Sequence, residues 1–188
     1  ISNNSSGHDG GGIWFTQSLC SLENVTVESN FAENSGGGIH AFDGNSITMN
    51  SSYITENVAN NCGGGVGLTD FSDLVIDSTS ITNNETRGVD AWNMGSNGGG
   101  IFILNSSNVT LNESILSNNS AHLRGGAVSS AFDCNVSILN SSISNNLAFS
   151  DLGGGGGIWS INSDIIINNS EFLMNSIIGP SSSGMAIR

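Results

Sequence analysis

Branched aliphatic residues in this chain alternate with polar ones over short runs, and the runs recur. After a glycine cluster the pattern reads Ile13-x-Phe15, Ile39-x-Ala41, Val66-x-Leu68, Ile101-x-Ile103, Val128-x-Ser130 and Ile158-x-Ser160. A second run follows in each case: Val25-x-Val27, Ile47-x-Met49, Leu74-x-Ile76, Val109-x-Leu111, Val136-x-Ile138 and Ile165-x-Ile167. A period of two, bounded by Gly, Asn, Asp and Ser, predicts short strands with one buried face. No segment sustains the 3.6-residue period of a helix.

The runs belong to a repeat. The β-branched residue after each glycine cluster recurs at intervals of 26, 27, 35, 27, 30 and 29 residues, counting a degraded last copy at Ile187. Two or three strands in about 27 residues make one turn of a parallel β-helix, because strands rise about 3.3 Å per residue and like residues then stack about 4.8 Å apart. The predicted fold is all-β, a solenoid of about six to seven coils forming a single segment over 1–188. Its repeats start near Gly10, Gly36, Gly63, Gly98, Gly125 and Gly155, with a partial one at Gly184. The window opens and closes inside the motif without a polar cap, which is expected of a segment cut from a longer array.

A large apolar residue with Asn three positions later forms a second motif: Ile1…Asn4, Phe31…Asn34, Ile54…Asn57, Ile81…Asn84, Leu116…Asn119, Ile143…Asn146 and Phe172…Asn175. Buried turn backbone needs partners and Asn tolerates turn dihedrals, so Asn4, Asn34, Asn57, Asn84, Asn119, Asn146 and Asn175 are expected to stack as an amide ladder. The paired signature Gly-Gly-(Ala or Gly)-(Ile or Val) and (Phe, Ile or Leu)-x-x-Asn resembles the repeat of the chlamydial polymorphic outer membrane proteins over nearly the whole chain. That resemblance implies a right-handed parallel β-helix carried as the surface-exposed passenger of an autotransporter and linked to host-cell adhesion.

Composition narrows the partners. Sixteen acidic residues against three basic ones, Arg87, Arg124 and Arg188, give a formal charge of −13. Such a chain has nothing to neutralise a row of phosphates or an anionic membrane surface. No apolar run is long enough to span a membrane. The three cysteines, Cys20, Cys62 and Cys134, leave room for one bridge plus a thiol or for three isolated small apolar residues, and no CxxC metal spacing exists.

Candidate chemistry is sparse. Asn-x-Ser/Thr acceptors recur at Asn50, Asn112, Asn140 and Asn168, read as one position after the second strand in four coils, and also at Asn24, Asn108 and Asn135; Asn84 carries the tripeptide too but belongs to the expected ladder. The residue after the β-branched position reads Trp14, His40, Gly67, Phe102, Ser129 and Trp159, which predicts an outward aromatic contact face at Trp14, Phe102 and Trp159. The longest loop, Glu85 to Asn97, holds Arg87, Asp90 and Trp92, and stacking would bring His122, Arg124 and Asp151 beside it. Stacked Asp43 and Asp70 would be the place for Ca²⁺, but the Asp-x-Asp-x-Asp/Asn-Gly loop is missing and turn capping is the expected role. No cofactor is expected.

The residues therefore predict an extracellular or cell-surface scaffold, structural or adhesive, whose partners are itself, other surface components or glycans. The adhesin passenger is one alternative. A polysaccharide lyase or hydrolase on the same fold is the other, against which stands the lack of paired carboxylates on the strand faces. The segment is not expected to be an enzyme.

Overall fold

The computed structural model describes residues 1–88, 97–149 and 154–179. Every regular element in them is a β-strand, and every pairing is parallel, between one coil and the next. Four sheets run along the rod. The first holds Ile13–Thr16, Ile39–Phe42, Val66–Thr69, Ile101–Leu104, Val128–Ala131 and Ile158–Ile161. The second runs from Leu19–Glu23 to Asp164–Asn168, the third from Thr26–Glu28 to Glu171–Leu173, and the fourth from Ser5–Ser6 to Ser176–Ile178.

Inward positions stack like on like, which makes the core a set of columns. Ile39, Val66, Ile101, Val128 and Ile158 form one; Met49, Ile76, Leu111, Ile138 and Ile167 another. Ile54, Ile81, Leu116 and Ile143 are fully buried in a third. Each such side chain stabilises the coil by about 1.5–3 kcal/mol. One inward column turns polar: Ser130 Oγ donates to Ser160 Oγ at 3.0 Å.

Three of the four corners follow a single plan. A residue with positive φ turns the chain, and the next side chain places an oxygen under the backbone N–H of the coil before it. At the Asn corner the turning residues are Ser29, Glu56, Asn83, Asn118, Asn145 and Met174, with φ between 52° and 57°. The amide column that follows is Asn4, Asn30, Asn57, Asn84, Asn119, Asn146 and Asn175. Each inner amide is saturated. Asn119 Oδ1 accepts the backbone N–H and one Nδ2 hydrogen of Asn84, both at 3.0 Å, while its own Nδ2 donates to Ile81 O at 2.9 Å and Asn146 Oδ1 at 3.0 Å.

Asn34 is not on this column, contrary to the sequence expectation. It lies in the loop before the glycine corner, where its Oδ1 accepts from Asn61 Nδ2 at 2.6 Å and its Nδ2 donates to Asp9 Oδ1 at 2.8 Å. Asn30 takes the place because it sits 26 residues from Asn4 and 27 from Asn57, the spacing of one coil. The same shift affects the second sheet of that coil, whose inward residues are Cys20 and Leu22, aligned with Ile47 and Met49, rather than Val25 and Val27.

Two hydroxyl ladders occupy other corners. Val25, Ser52, Thr79, Ser114 and Ser141 donate their backbone N–H to the hydroxyl of the following coil, ending on Ser170, at 3.0–3.2 Å. A second column uses Asn45, Ser72, Ser107, Cys134 and Ser163 in the same way. At the fourth corner only glycine fits: a Cβ on Gly37 would lie 2.4 Å from Gly64 O and 2.5 Å from Val58 O. Buried polar backbone is thereby paired at each corner, as it must be.

Candidate lateral contact face

The outward row of the first sheet is largely covered, which corrects the expected aromatic face. Trp14 is exposed and Trp159 half-buried, but Phe102 and His40 are buried at 6% and 4% exposure. The loops before the glycine corner fold back over this row; a Cβ on Gly36 would lie 2.7 Å from His40 Cβ. Alternation alone places a side chain on the outer face and is silent on whether a loop then covers it.

Gly67 leaves space in the row that the His40 ring enters, since a Cβ there would approach His40 Nδ1 to 2.9 Å. That nitrogen has no hydrogen-bond partner. Burial pushes the His40 pKa down, with Asp9 and Asp70 pulling it back and His8 adding to the fall. A groove of about 290 Å³ follows, lined by His40, Phe102, Phe42, Leu104, Asn34 and Asn61 among others.

The apolar surface that is exposed lies two to four residues further on, where the first sheet turns into the second. Phe42 and Ile161 are each 43% exposed, Phe71 67% and Phe132 39%, one per coil, with half-buried Leu104 in the coil between Phe71 and Phe132. Phe71 and Phe132 both have φ of 62°. A bulky side chain in the left-handed region costs about 1–2 kcal/mol, and Gly, Asn, Ser or Asp fills the neighbouring turn positions at Gly44, Asn105, Ser106 and Asp133. The sequence reading missed this stripe, because turn residues were judged by their capping role alone.

Polar residues of the outer surface form strings along the axis. Asn169, Asn140 and Asn112 hand their Nδ2 in turn to Asn140, Asn112 and Asp77, at 2.8, 3.0 and 2.5 Å. Asn135 and Asn108 do the same toward Asp73. Asp43 and Asp70 accept from the side-chain amides of Gln17 and Asn105 one coil away at 2.8 Å, and no three His, Cys, Asp or Glu side chains converge on a metal position among the described residues. Asn50, Asn112 and Asn168 share a column with Glu23, Asp77 and Leu139. Asn140 does not, because Leu139 fills that place and Asn140 falls on the next, left-handed position with Asn24, Ser51, Ser78, Glu113 and Asn169.

A family model described as a right handed beta helix region matches residues 1–120. The chain belongs to the right-handed β-helix family. No curated protein and no solved structure matches it. The family holds both enzymes and non-enzymes, so membership does not decide catalysis.

Within this right-handed β-helix only Arg87, His122 and Arg124 of the expected mixed-charge cluster lie among the described residues. Arg87 pairs with Glu85 at 2.8 Å, both at the surface. Arg124 lies 5.0 Å over the Trp159 ring, and partial burial lowers its pKa. Glu85–Thr86 is a strand of the fourth sheet, so the loop is shorter than expected. Asp90, Trp92, Asp151 and the partial repeat at Gly184 lie outside the described residues. Two carboxylates, Glu113 and Glu171, lie two coils apart at the rim of one groove of about 490 Å³ with Asn140 and Ser142; Glu171 Oε1 accepts from Ser142 Oγ at 3.0 Å. Cys20 and Cys134 face the coil interior, no disulfide joins Cys20, Cys62 and Cys134, and burial pushes the Cys134 thiol pKa up.

Proposed function

We propose that this β-helix is a non-catalytic scaffold of the extracellular space or cell surface, structural or adhesive, that works through the apolar stripe along one edge. The observation that carries the reading is the pair Phe71 and Phe132. They are exposed aromatics at left-handed turn positions, where stability alone favours Asn or Gly. Saturated ladders make the rod rigid, and a rigid rod holds such a stripe in register. Exposed apolar patches of this kind mark contact surfaces. A finer version, an autotransporter passenger like the chlamydial polymorphic outer membrane proteins, makes the stripe the face that meets the host cell.

The test exploits opposed effects on stability and contact. The double variant Phe71→Asn, Phe132→Asn should melt no lower than the parent. It should also lose self-association in sedimentation velocity or lose retention of chain-coated beads on epithelial monolayers. Unchanged behaviour in both assays refutes the stripe. In parallel, incubation with acidic and neutral polysaccharides should release no new reducing ends. Release that disappears in Glu113→Gln or Glu171→Gln would replace the scaffold reading with a hydrolase.

A further inference from the structure

Asn84-Glu85-Thr86 is an N-glycan acceptor tripeptide set inside the coil wall. Asn84 is 0% and Thr86 2% exposed. The Asn84 amide has no spare capacity: Oδ1 accepts the backbone N–H and Nδ2 of Asn57, and Nδ2 donates to Ile54 O and Asn119 Oδ1, all at 3.0 Å. Thr86 stands between alanines in its own column, which reads Ser6, Ala32, Ala59, Thr86, Ala121, Ala148 and Ile177. That threonine creates the acceptor, at a position where the coils on either side hold alanine.

We infer that Asn84 is a modification site that excludes folding: a chain glycosylated there cannot close its ladder, and folded molecules carry no glycan at Asn84. Transfer forms a bond from Nδ2 to the anomeric carbon of the glycan. It breaks the bond from that carbon to a lipid diphosphate donor, and releases one Nδ2 proton and the diphosphate. The lost hydrogen is one of the two that Asn84 gives to Ile54 and Asn119, and the sugar would stand where adjoining coils stack. The unfolded chain has neither obstacle, so transfer there precedes and prevents folding. Asn24, Asn50 and Asn168 differ: all three are exposed, and among the described residues none donates from Nδ2. Those positions accept glycans without harm to the fold.

The experiment compares the whole chain in a bacterial cytoplasm and in a eukaryotic secretory host, with glycopeptide mapping of secreted and retained pools. Variants are Thr86→Ala, Ala59→Thr, which makes Asn57 a second buried ladder acceptor beside the exposed terminal one at Asn4, and Ala59→Val as a size control without one. In the secretory host Thr86→Ala should raise the folded, secreted yield several-fold, Ala59→Thr should lower it several-fold, and Ala59→Val should lower it by no more than it does in bacteria. Glycan at Asn84 should be confined to the retained pool. A folded secreted chain with glycan at Asn84 overturns the inference. So does an unmodified Asn84 in both pools with equal yields of parent and Thr86→Ala.

Discussion

Removing one amide from the middle of the ladder tests whether the Asn corner holds the coils together. In Asn119→Ala the backbone N–H of Asn84 and one hydrogen of its amide lose their acceptor, and Ile81 O loses a donor, all in positions closed to water. Each buried group left unsatisfied costs about 1–3 kcal/mol. Two donors and one carbonyl, with some relaxation, should therefore cost about 3–5 kcal/mol, at the upper end of single substitutions. With a urea slope of about 2 kcal/mol/M, the midpoint should fall by about 1.5–2.5 M. Asn140→Ala provides the contrast. Its amide also bridges adjacent coils, to Asn112 and Asn169, but it is exposed and water replaces what is lost, so its effect should not exceed the roughly 1–2 kcal/mol that alanine costs at this left-handed position. Equilibrium unfolding followed by far-UV circular dichroism and by Trp fluorescence reads both variants. Solenoid coils can unfold in parts, so a split transition confined to Asn119→Ala also supports the argument. Equal midpoints for the two variants would mean that the buried column is not what fixes the corner.

Three further outcomes follow from particular contacts. Burial holds the His40 imidazole below its ordinary pKa of 6.5, so the unfolded chain takes up the proton first; stability is full above about pH 6.5 and is lost as pH falls below it toward the depressed folded value. Unfolding free energy measured between pH 5 and 8 should show this loss in the parent and a shallower one in His40→Gln, and identical slopes would remove His40 as the cause. Cys134→Ser should leave stability unchanged or raise it by about 0.5–1.5 kcal/mol, because Ser holds the same ladder position at Ser72, Ser107 and Ser163; a fall of more than about 2 kcal/mol in thermal or urea unfolding would contradict it. Gly67→Ala should destabilise by about 1–3 kcal/mol, since its Cβ would meet His40 Nδ1 at 2.9 Å and Gly36 N at 3.2 Å. His40→Ala in the same chain should recover part of that loss, and a strictly additive double variant would place the clash elsewhere.

The sequence by itself determined whatever repeats along the axis. Stacking at one spacing forces a like residue over a like residue, so the columns through Ile39, Ile54 and Met49, the glycine corner and most of the amide ladder were legible as periods. Two axial features were legible and misread. Phe31…Asn34 fits the motif and Val27…Asn30 only with Val in its first place, so only counting one coil from Asn57 selects Asn30. The hydroxyl ladders at Ser52, Thr79, Ser114 and Ser141 keep the same spacing, but in a chain this rich in serine they do not stand out. What lies across the rod only the tertiary structure decided. His40 and Phe102 are covered, while Trp14 and the stripe from Phe42 to Ile161 stay open. Coverage of that kind depends on how far each loop reaches sideways, a distance with no period, and so it leaves no repeating mark in the order of residues.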